Sequence, residues 1–166
     1  NIEIIYLDLL PTPSIPYILS EMTKKDAIGI QITASHNPYT DNGLKIFNSD
    51  GFKIPKCDEN RIKKLLESTH DIDKGFDLPI IKNQTYVDSY LNHIKYFLYK
   101  NLIDTKKLNI AIDCANGALS SVVNSINLPK NILFTIFNNT PNGKNINHDC
   151  GAVYPEHLSE IIIQRN

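Results

Sequence analysis

The stretch Ile28-Gly29-Ile30-Gln31-Ile32-Thr33-Ala34 is short, β-branched and mostly apolar, and it runs without a break into Ser35-His36-Asn37-Pro38. An apolar run of that length predicts a central β-strand. A polar loop at the carboxyl end of such a strand is where open α/β sheets bind their ligands. Upstream, the apolar run Ile4 to Leu10 reads as a buried strand. Pro11-Thr12-Pro13 ends it and can open a helix through Ile18, Leu19 and Met22, because proline fits a first helical turn. Downstream, Leu44-Lys45-Ile46-Phe47 and Phe52-Lys53-Ile54 flank Asp50-Gly51, a pattern that predicts a β-hairpin.

The same alternation continues along the chain. A helix is predicted from Asp58, with Ile62, Leu65, Leu66 and Thr69 on one face. The polar segment Asp71 to Leu78, with Gly75, reads as a linker. A helix over Val87 to Leu102 follows, and its stripe of Val87, Tyr90, Leu91, Ile94 and Leu98 is a packing face. Strands are predicted over Asn109 to Ile112 and Leu133 to Phe137. Between them come a turn at Asn116-Gly117 and a helix over Ala118 to Ile126. A polar loop spans Asn138 to Gly151, and Pro155 begins a last helix. Strands alternating with helices predict an α/β chain with open, mainly parallel sheets. The chain starts in a strand without methionine and stops inside a helix, so it reads as an excerpt of a longer protein.

Composition bounds the function. Of the 166 residues 42% are hydrophobic, enough for one sizeable core. Lys and Arg number 17 against 18 Asp and Glu, a formal charge of -1, so the basic excess of nucleic-acid or anionic-membrane binders is missing. No apolar run approaches the roughly 18–20 residues that cross a bilayer. Asn1-Ile2-Glu3-Ile4-Ile5 lacks the basic start of a signal peptide. Cys57, Cys114 and Cys150 form no CxxC pair and read as reduced thiols. The expectation is a cytoplasmic protein without membrane or nucleic-acid partners.

Ser35 is the residue with most chemical promise. A serine hydroxyl needs a base or an electrostatic setting to become a nucleophile, and His36 and Lys45 are the nearby candidates. Adjacent residues seldom aim their side chains at each other, so Ser35-His36 alone is no dyad, and spacing alone favours a plain polar loop. Asp41, Asn42 and Asp50 read as turn formers. Asp113, just beyond a strand, could orient a ligand, and Asn116-Gly117 could be a tight turn needing positive φ. His148 and Cys150 lack two further ligands for zinc. There is no phosphate-binding P-loop, no G-x-G-x-x-G and no carboxylate cluster for magnesium. On these grounds alone the function stays open.

Gly29 to Pro38, followed by Asp41-Asn42-Gly43-Leu44-Lys45 and Asp50-Gly51, resembles the phosphoserine loop of the α-D-phosphohexomutase superfamily. Pro11-Thr12-Pro13 extends the resemblance upstream, and Asp113-Cys114-Ala115-Asn116-Gly117-Ala118 is similar to the opening of the family's second domain. Pro141 to Asn147, with Cys150-Gly151 and Pro155-Glu156-His157-Leu158, is most similar to the bacterial branch that acts on glucosamine phosphates. Ala152 stands where that branch would have serine.

The resemblance implies three-layer α/β/α domains with mixed, mainly parallel sheets. It places the later part of a first domain at residues 1–77, a linker and connecting helix at 78–106, and the start of a second domain at 107–166. It implies a phosphosugar substrate, glucosamine 6-phosphate interconverted with glucosamine 1-phosphate through a phosphoserine and a bisphosphorylated intermediate. Ser35 would carry the phosphoryl group and ligate magnesium (Mg2+). Lys45 would assist proton transfer or phosphate charge, and His36 would support the site. The family's Asp-Gly-Asp-Gly-Asp, Glu-x-Ser-Gly and Arg-x-Ser-Gly-Thr loops are absent from these residues. The chain alone is therefore expected to be inactive. The alternatives are a phosphomannomutase or phosphoglucomutase segment, a non-catalytic binding module, and, remotely, a Ser-His hydrolase.

Overall fold

A computed structural model describes residues 2–22, 26–68, 78–126 and 128–165. Strand β1 (Ile4–Tyr6) is followed by helix α1 (Ser14–Glu21), β2 (Gly29–Ile32) and β3 (Leu44–Phe47). Then come α2 (Lys56–Ser68), β4 (Ile80–Lys82) and the long α3 (Gln84–Leu102). The second half holds β5 (Leu108–Asp113), a short α4 (Ser120–Val123), β6 (Ile132–Phe137) and α5 (Pro155–Arg165), with one 3-10 turn at Gly151–Val153. β1 pairs with β4 and β5 with β6 in parallel, whereas β2 and β3 are antiparallel. The mixed, mainly parallel α/β character read from the sequence is therefore what the chain adopts.

Helix α1 is the hinge of the packing. Pro13 sits at its N-cap without a side-chain hydrogen bond, and the Pro11 carbonyl accepts from the Ser14 N–H at 2.9 Å. Ile15 and Leu19 turn toward the β2–β3 pair and form a cluster with Phe47. Gly29 permits this contact, since a Cβ there would lie 2.8 Å from Leu19 Cδ1 and closer still to Ile15. Ile18 turns the other way, into a second cluster with Leu10, Tyr90 of α3 and Val122 of α4. That cluster joins the two halves of the chain, and its edge is closed by Tyr17, whose hydroxyl lies 3.2 Å from Ser89 Oγ. Asn83, whose side chain accepts from the Tyr86 N–H, caps α3.

Several expectations are corrected. The strand predicted from Ile4 to Leu10 covers only Ile4–Tyr6 and is largely uncovered: Leu10 is buried and Leu7 packs against the core, while Ile4, Tyr6 and Leu9 are exposed. Asp8, at φ 62°, breaks the extended run. The strand predicted over residues 28–34 is not central, because among the described residues β2 pairs only with β3. Side chains alternate across a strand, so α1 covers Gly29 and Phe47. Ile30 and Ile32 face the other way and stay 48% and 65% exposed, with Leu44 beside them at 58%. The hairpin around Asp50-Gly51 forms as a single bridge, Phe47 to Lys53, with Ile54 N–H bonded to the Ile46 carbonyl at 3.0 Å.

Helix α2 exists, but Leu65 and Leu66 of its predicted packing face are exposed. Thr69 and most of the predicted linker lie outside the described residues. The segment read as linker and connecting helix also contains β4, which is paired along β1 from Ile4–Ile80 to Tyr6–Lys82. The helix predicted over residues 118–126 shrinks to four residues flanked by i→i−3 turns such as Ser125 N–H to Val122. Serine, valine and asparagine are weak helix formers, and the Ser125 hydroxyl bonds the Val122 carbonyl at 2.7 Å.

Candidate active site

The Ser35 loop leaves the carboxyl end of β2. The ladder to β3 continues one step further through Thr33 N–H to the Gly43 carbonyl, 2.9 Å. Thr33 Oγ1 then accepts from the Ser35 N–H at 3.0 Å. The Asn37 N–H bonds the Ala34 carbonyl at 3.2 Å, so residues 34–37 form a tight turn with Ser35 at its first corner. Ser35 has φ 62° while His36 is not in the left-handed region, the φ pattern of a type II′ turn. Glycine normally takes that corner, and a residue with a Cβ pays strain to hold it. Beyond the turn, Asn37 Nδ2 donates to Asp41 Oδ2 at 2.9 Å, and Asn42 Oδ1 accepts from the Gly43 N–H. Asn42 is thus the turn former the sequence indicated, and Asp41 braces the loop.

Ser35 and His36 are both exposed. Lys45 lies opposite Gln31 in the β2–β3 register, half-buried on the sheet face that carries α1. No hydrogen bond or ion pair among the described residues joins Ser35, His36 and Lys45. The chain places them around one end of one strand pair without assembling them into a dyad or triad. The described residues contain no group of three His, Cys, Asp or Glu side chains that could hold a metal ion. A single serine oxygen is not by itself a magnesium site.

Against the Ser35 loop lies the loop system that follows β5 and β6. Asp113 is its hub. One of its carboxylate oxygens accepts from Ala115 N–H at 2.8 Å and from Asn138 Nδ2 at 3.0 Å; the other accepts from Gly151 N–H at 2.8 Å. Burial alone would raise the Asp113 carboxyl, but those three donors, aided by His157, together hold it below the ordinary carboxylate value. Asp113 thus spends its oxygens on its own loop, which answers the open reading of it as a ligand-orienting group. Burial, and then the Asp113 charge, push the thiols of Cys114 and Cys150 up, so both stay neutral at pH 7. Neither is paired in a disulfide. The turn at Asn116-Gly117 forms with Gly117 N–H bonded to Cys114 at 2.8 Å, but positive φ falls on Ala115 and Asn116 rather than on the glycine. His148 pairs with Asp149 at 3.2 Å instead of approaching a metal cluster.

The sequence reading missed Asn147. Its Nδ2 donates to the carbonyls of both Ser35, at 3.2 Å, and Asn37, at 3.0 Å, across 112 and 110 residues of chain. The one signal in the sequence was the density of asparagine between residues 138 and 147, a residue type that tolerates left-handed backbone and bonds locally.

Residues 1–73 match the model of phosphoglucomutase/phosphomannomutase, alpha/beta/alpha domain I. The fold is similar to that of an Aspergillus fumigatus N-acetylphosphoglucosamine mutase in complex with GlcNAc-6P and magnesium, with a TM-score of 0.55 at 19% identity over 92% of this chain and 42% of that one. The chain is therefore similar to the phosphoglucomutase/phosphomannomutase family over residues 1–73 and shares the fold of the solved mutases.

It is also similar over nearly its whole length to bacterial phosphoglucosamine mutases. Identity is 34% to that of Fusobacterium nucleatum subsp. nucleatum, over 98% of this chain and 36% of the relative. It is 34% to that of Oceanobacillus iheyensis, over 99% and 36%, and 36% to that of Streptococcus equi subsp. zooepidemicus, over 99% and 36%. The chain thus spans about a third of the length of the curated relatives it matches. No helix among the described residues is long and apolar enough to cross a membrane.

Proposed function

We propose that Ser35 is the phosphoryl carrier of a phosphoglucosamine mutase that interconverts glucosamine 6-phosphate and glucosamine 1-phosphate. The observation that carries this reading is Ser35 itself: exposed at the carboxyl end of β2, at φ 62°, on a turn braced by Thr33 and Asn147. A strained residue presented to solvent on a braced turn is the arrangement of a functional site rather than of a casual loop.

Phosphorylated Ser35 donates its phosphoryl group to the O1 hydroxyl of glucosamine 6-phosphate. The O1–P bond forms as the Ser35 Oγ–P bond breaks, and the O1 proton passes to a base. The bisphosphate turns over, and Ser35 Oγ takes the phosphoryl group from O6 as the O6–P bond breaks and O6 takes the proton back from the base, restoring the phosphoserine and leaving glucosamine 1-phosphate. Because the phosphoryl group moves in both steps, what the protein supplies is position and countercharge. Lys45 is assigned to proton transfer or to phosphoryl charge, and His36 to support beside the phosphoserine. Magnesium is assigned to the same reaction, with Ser35 contributing one ligand through its phosphate. When bound, magnesium would supply countercharge to the transferred phosphoryl group; the described residues hold no group of three His, Cys, Asp or Glu side chains around it. The 1–77, 78–106 and 107–166 division is retained as a proposal for the domains. Three unpaired cysteines support a cytoplasmic setting.

The activity is assigned to the protein that contains this segment, since the chain covers 36% of its relatives; the 166 residues alone are expected to be inactive. The test is conversion of glucosamine 6-phosphate by that protein and by its Ser35→Ala variant. Turnover in the parent and its loss in the variant support the reading. Equal turnover in both removes Ser35 from the mechanism.

A further inference from the structure

We propose that Asn147 is a positioning residue for Ser35, fixing from the second half of the chain the strained turn on which the serine sits. The inference rests on the reading of Ser35 as the phosphoryl carrier, but its structural core does not. The turn spans residues 34–37, and Asn147 Nδ2 reaches the carbonyls of its first corner and of its last residue, 3.2 Å from Ser35 and 3.0 Å from Asn37. A donor on the Ser35 carbonyl orients the peptide plane that follows the left-handed φ, so it stabilises the conformation the serine would otherwise leave. Within the turn itself only the Thr33 Oγ1 contact and the Asn37 to Ala34 bond resist that relaxation.

Asn147 can do this because it is held in turn. Its own N–H donates to the Ala115 carbonyl at 2.9 Å, and Ala115 N–H donates to Asp113 at the end of β5. Gly151 leaves the room: a Cβ there would lie 2.6 Å from Ala115 Cβ and 3.6 Å from Asn147 Oδ1. A continuous line of hydrogen bonds therefore runs from β5 through Asp113, Ala115 and Asn147 to the backbone of Ser35. Asn147 has φ 57°, a conformation that asparagine, aspartate and glycine adopt at lower cost than alanine. This dictates which variants are informative.

Asn147→Asp keeps the shape and the left-handed tolerance but presents oxygens to two carbonyls. Asn147→Gly keeps the backbone and removes the donor. Both are compared with the parent by amide hydrogen exchange, melting temperature and the rate at which a hexose bisphosphate loads phosphate onto Ser35. The expected result is exchange about tenfold faster over residues 34–41 in both variants, as for the loss of two hydrogen bonds. Protection of β5, β6 and α3 and the melting temperature stay at parent values, while Ser35 loading slows about tenfold. A structural residue alone would not slow loading at an unchanged melting temperature. Parent-like exchange over residues 34–41 in both variants overturns the proposal. So does loss of protection spread through β5, β6 and α3. A parent in which Ser35 takes no phosphate while the exchange contrast is intact refutes the phosphoserine reading instead, which separates the two failures.

Discussion

The loops that face each other at Ser35 are built on opposite plans. The loops after β5 and β6 are closed on themselves: Asp113 accepts three hydrogen bonds, Asn142 Oδ1 takes the N–H groups of Lys144 and Asn145, and Asn116 bonds Thr140 and Asn145. The Ser35 loop is open, with residues 35–42 exposed and few bonds inside it. The same contrast runs beneath them. The cluster of Leu10, Ile18, Tyr90 and Val122 is buried, whereas the Ile30, Ile32 and Leu44 face of the β2–β3 pair is bare. Hydrogen bonds from outside the Ser35 loop therefore supply part of what holds it. A tightly bonded segment can in this way position an exposed loop that makes few bonds of its own.

The largest effect belongs to Ser35, and it has two signs. Ser35→Gly abolishes mutase turnover, a loss on the order of 10⁴ or more as for a removed covalent nucleophile. The same change raises stability by up to about 1 kcal/mol, because glycine relieves the left-handed corner. Turnover assays and urea unfolding check the pair of signs, and a destabilised Ser35→Gly would show that the turn is not strained. Next comes the core against the bare face. Ile18→Ala costs about 2–5 kcal/mol, as for a fully buried aliphatic side chain. Ile32→Thr changes stability by less than about 0.5 kcal/mol. Comparable losses at the two positions in chemical denaturation would mean that the Ile32 face is covered in solution.

The hub is predicted to matter less than the core but in a pH-dependent way. Asp113→Asn costs about 1–3 kcal/mol, because one of the three donors then meets an amide NH₂. The folded Asp113 carboxyl lies below its ordinary value of 3.8, so the unfolded chain binds this proton first as pH falls. Its stabilisation is complete above about pH 5 and is lost on acidification through the depressed folded value. The gap between parent and Asp113→Asn should narrow in that acid window, and a gap that stays constant from pH 7 to pH 3 contradicts the assignment. The smallest effect is at the α3 cap, where Asn83→Ala removes the acceptor for Tyr86 and costs about 1 kcal/mol. Far-UV circular dichroism during thermal unfolding checks it.

How much of this was legible in the sequence follows the same divide. Strands β5 and β6 announce themselves because their β-branched runs are bounded by polar residues, and α3 because its stripe repeats at helical spacing. β4 does not, since Ile80-Ile81-Lys82 is three residues at the edge of a polar segment and gains meaning only beside β1. The strands read as buried came out exposed because apolar runs report what can be covered, not what covers it. At the candidate site, the exposed loop position of Ser35 was legible from the strand-to-loop step. Asn147 was not, because its role depends on a contact 112 residues away, and no local pattern encodes that distance.

The central claim is that Ser35 carries the phosphoryl group, and the most direct measurement is phosphopeptide mapping of the protein before and after brief exposure to glucosamine 6-phosphate. Phosphate is expected on Ser35 beforehand, to be lost as the sugar bisphosphate appears and to return as glucosamine 1-phosphate accumulates. Turnover with Ser35 unmodified throughout, or with phosphate on another residue, would contradict it.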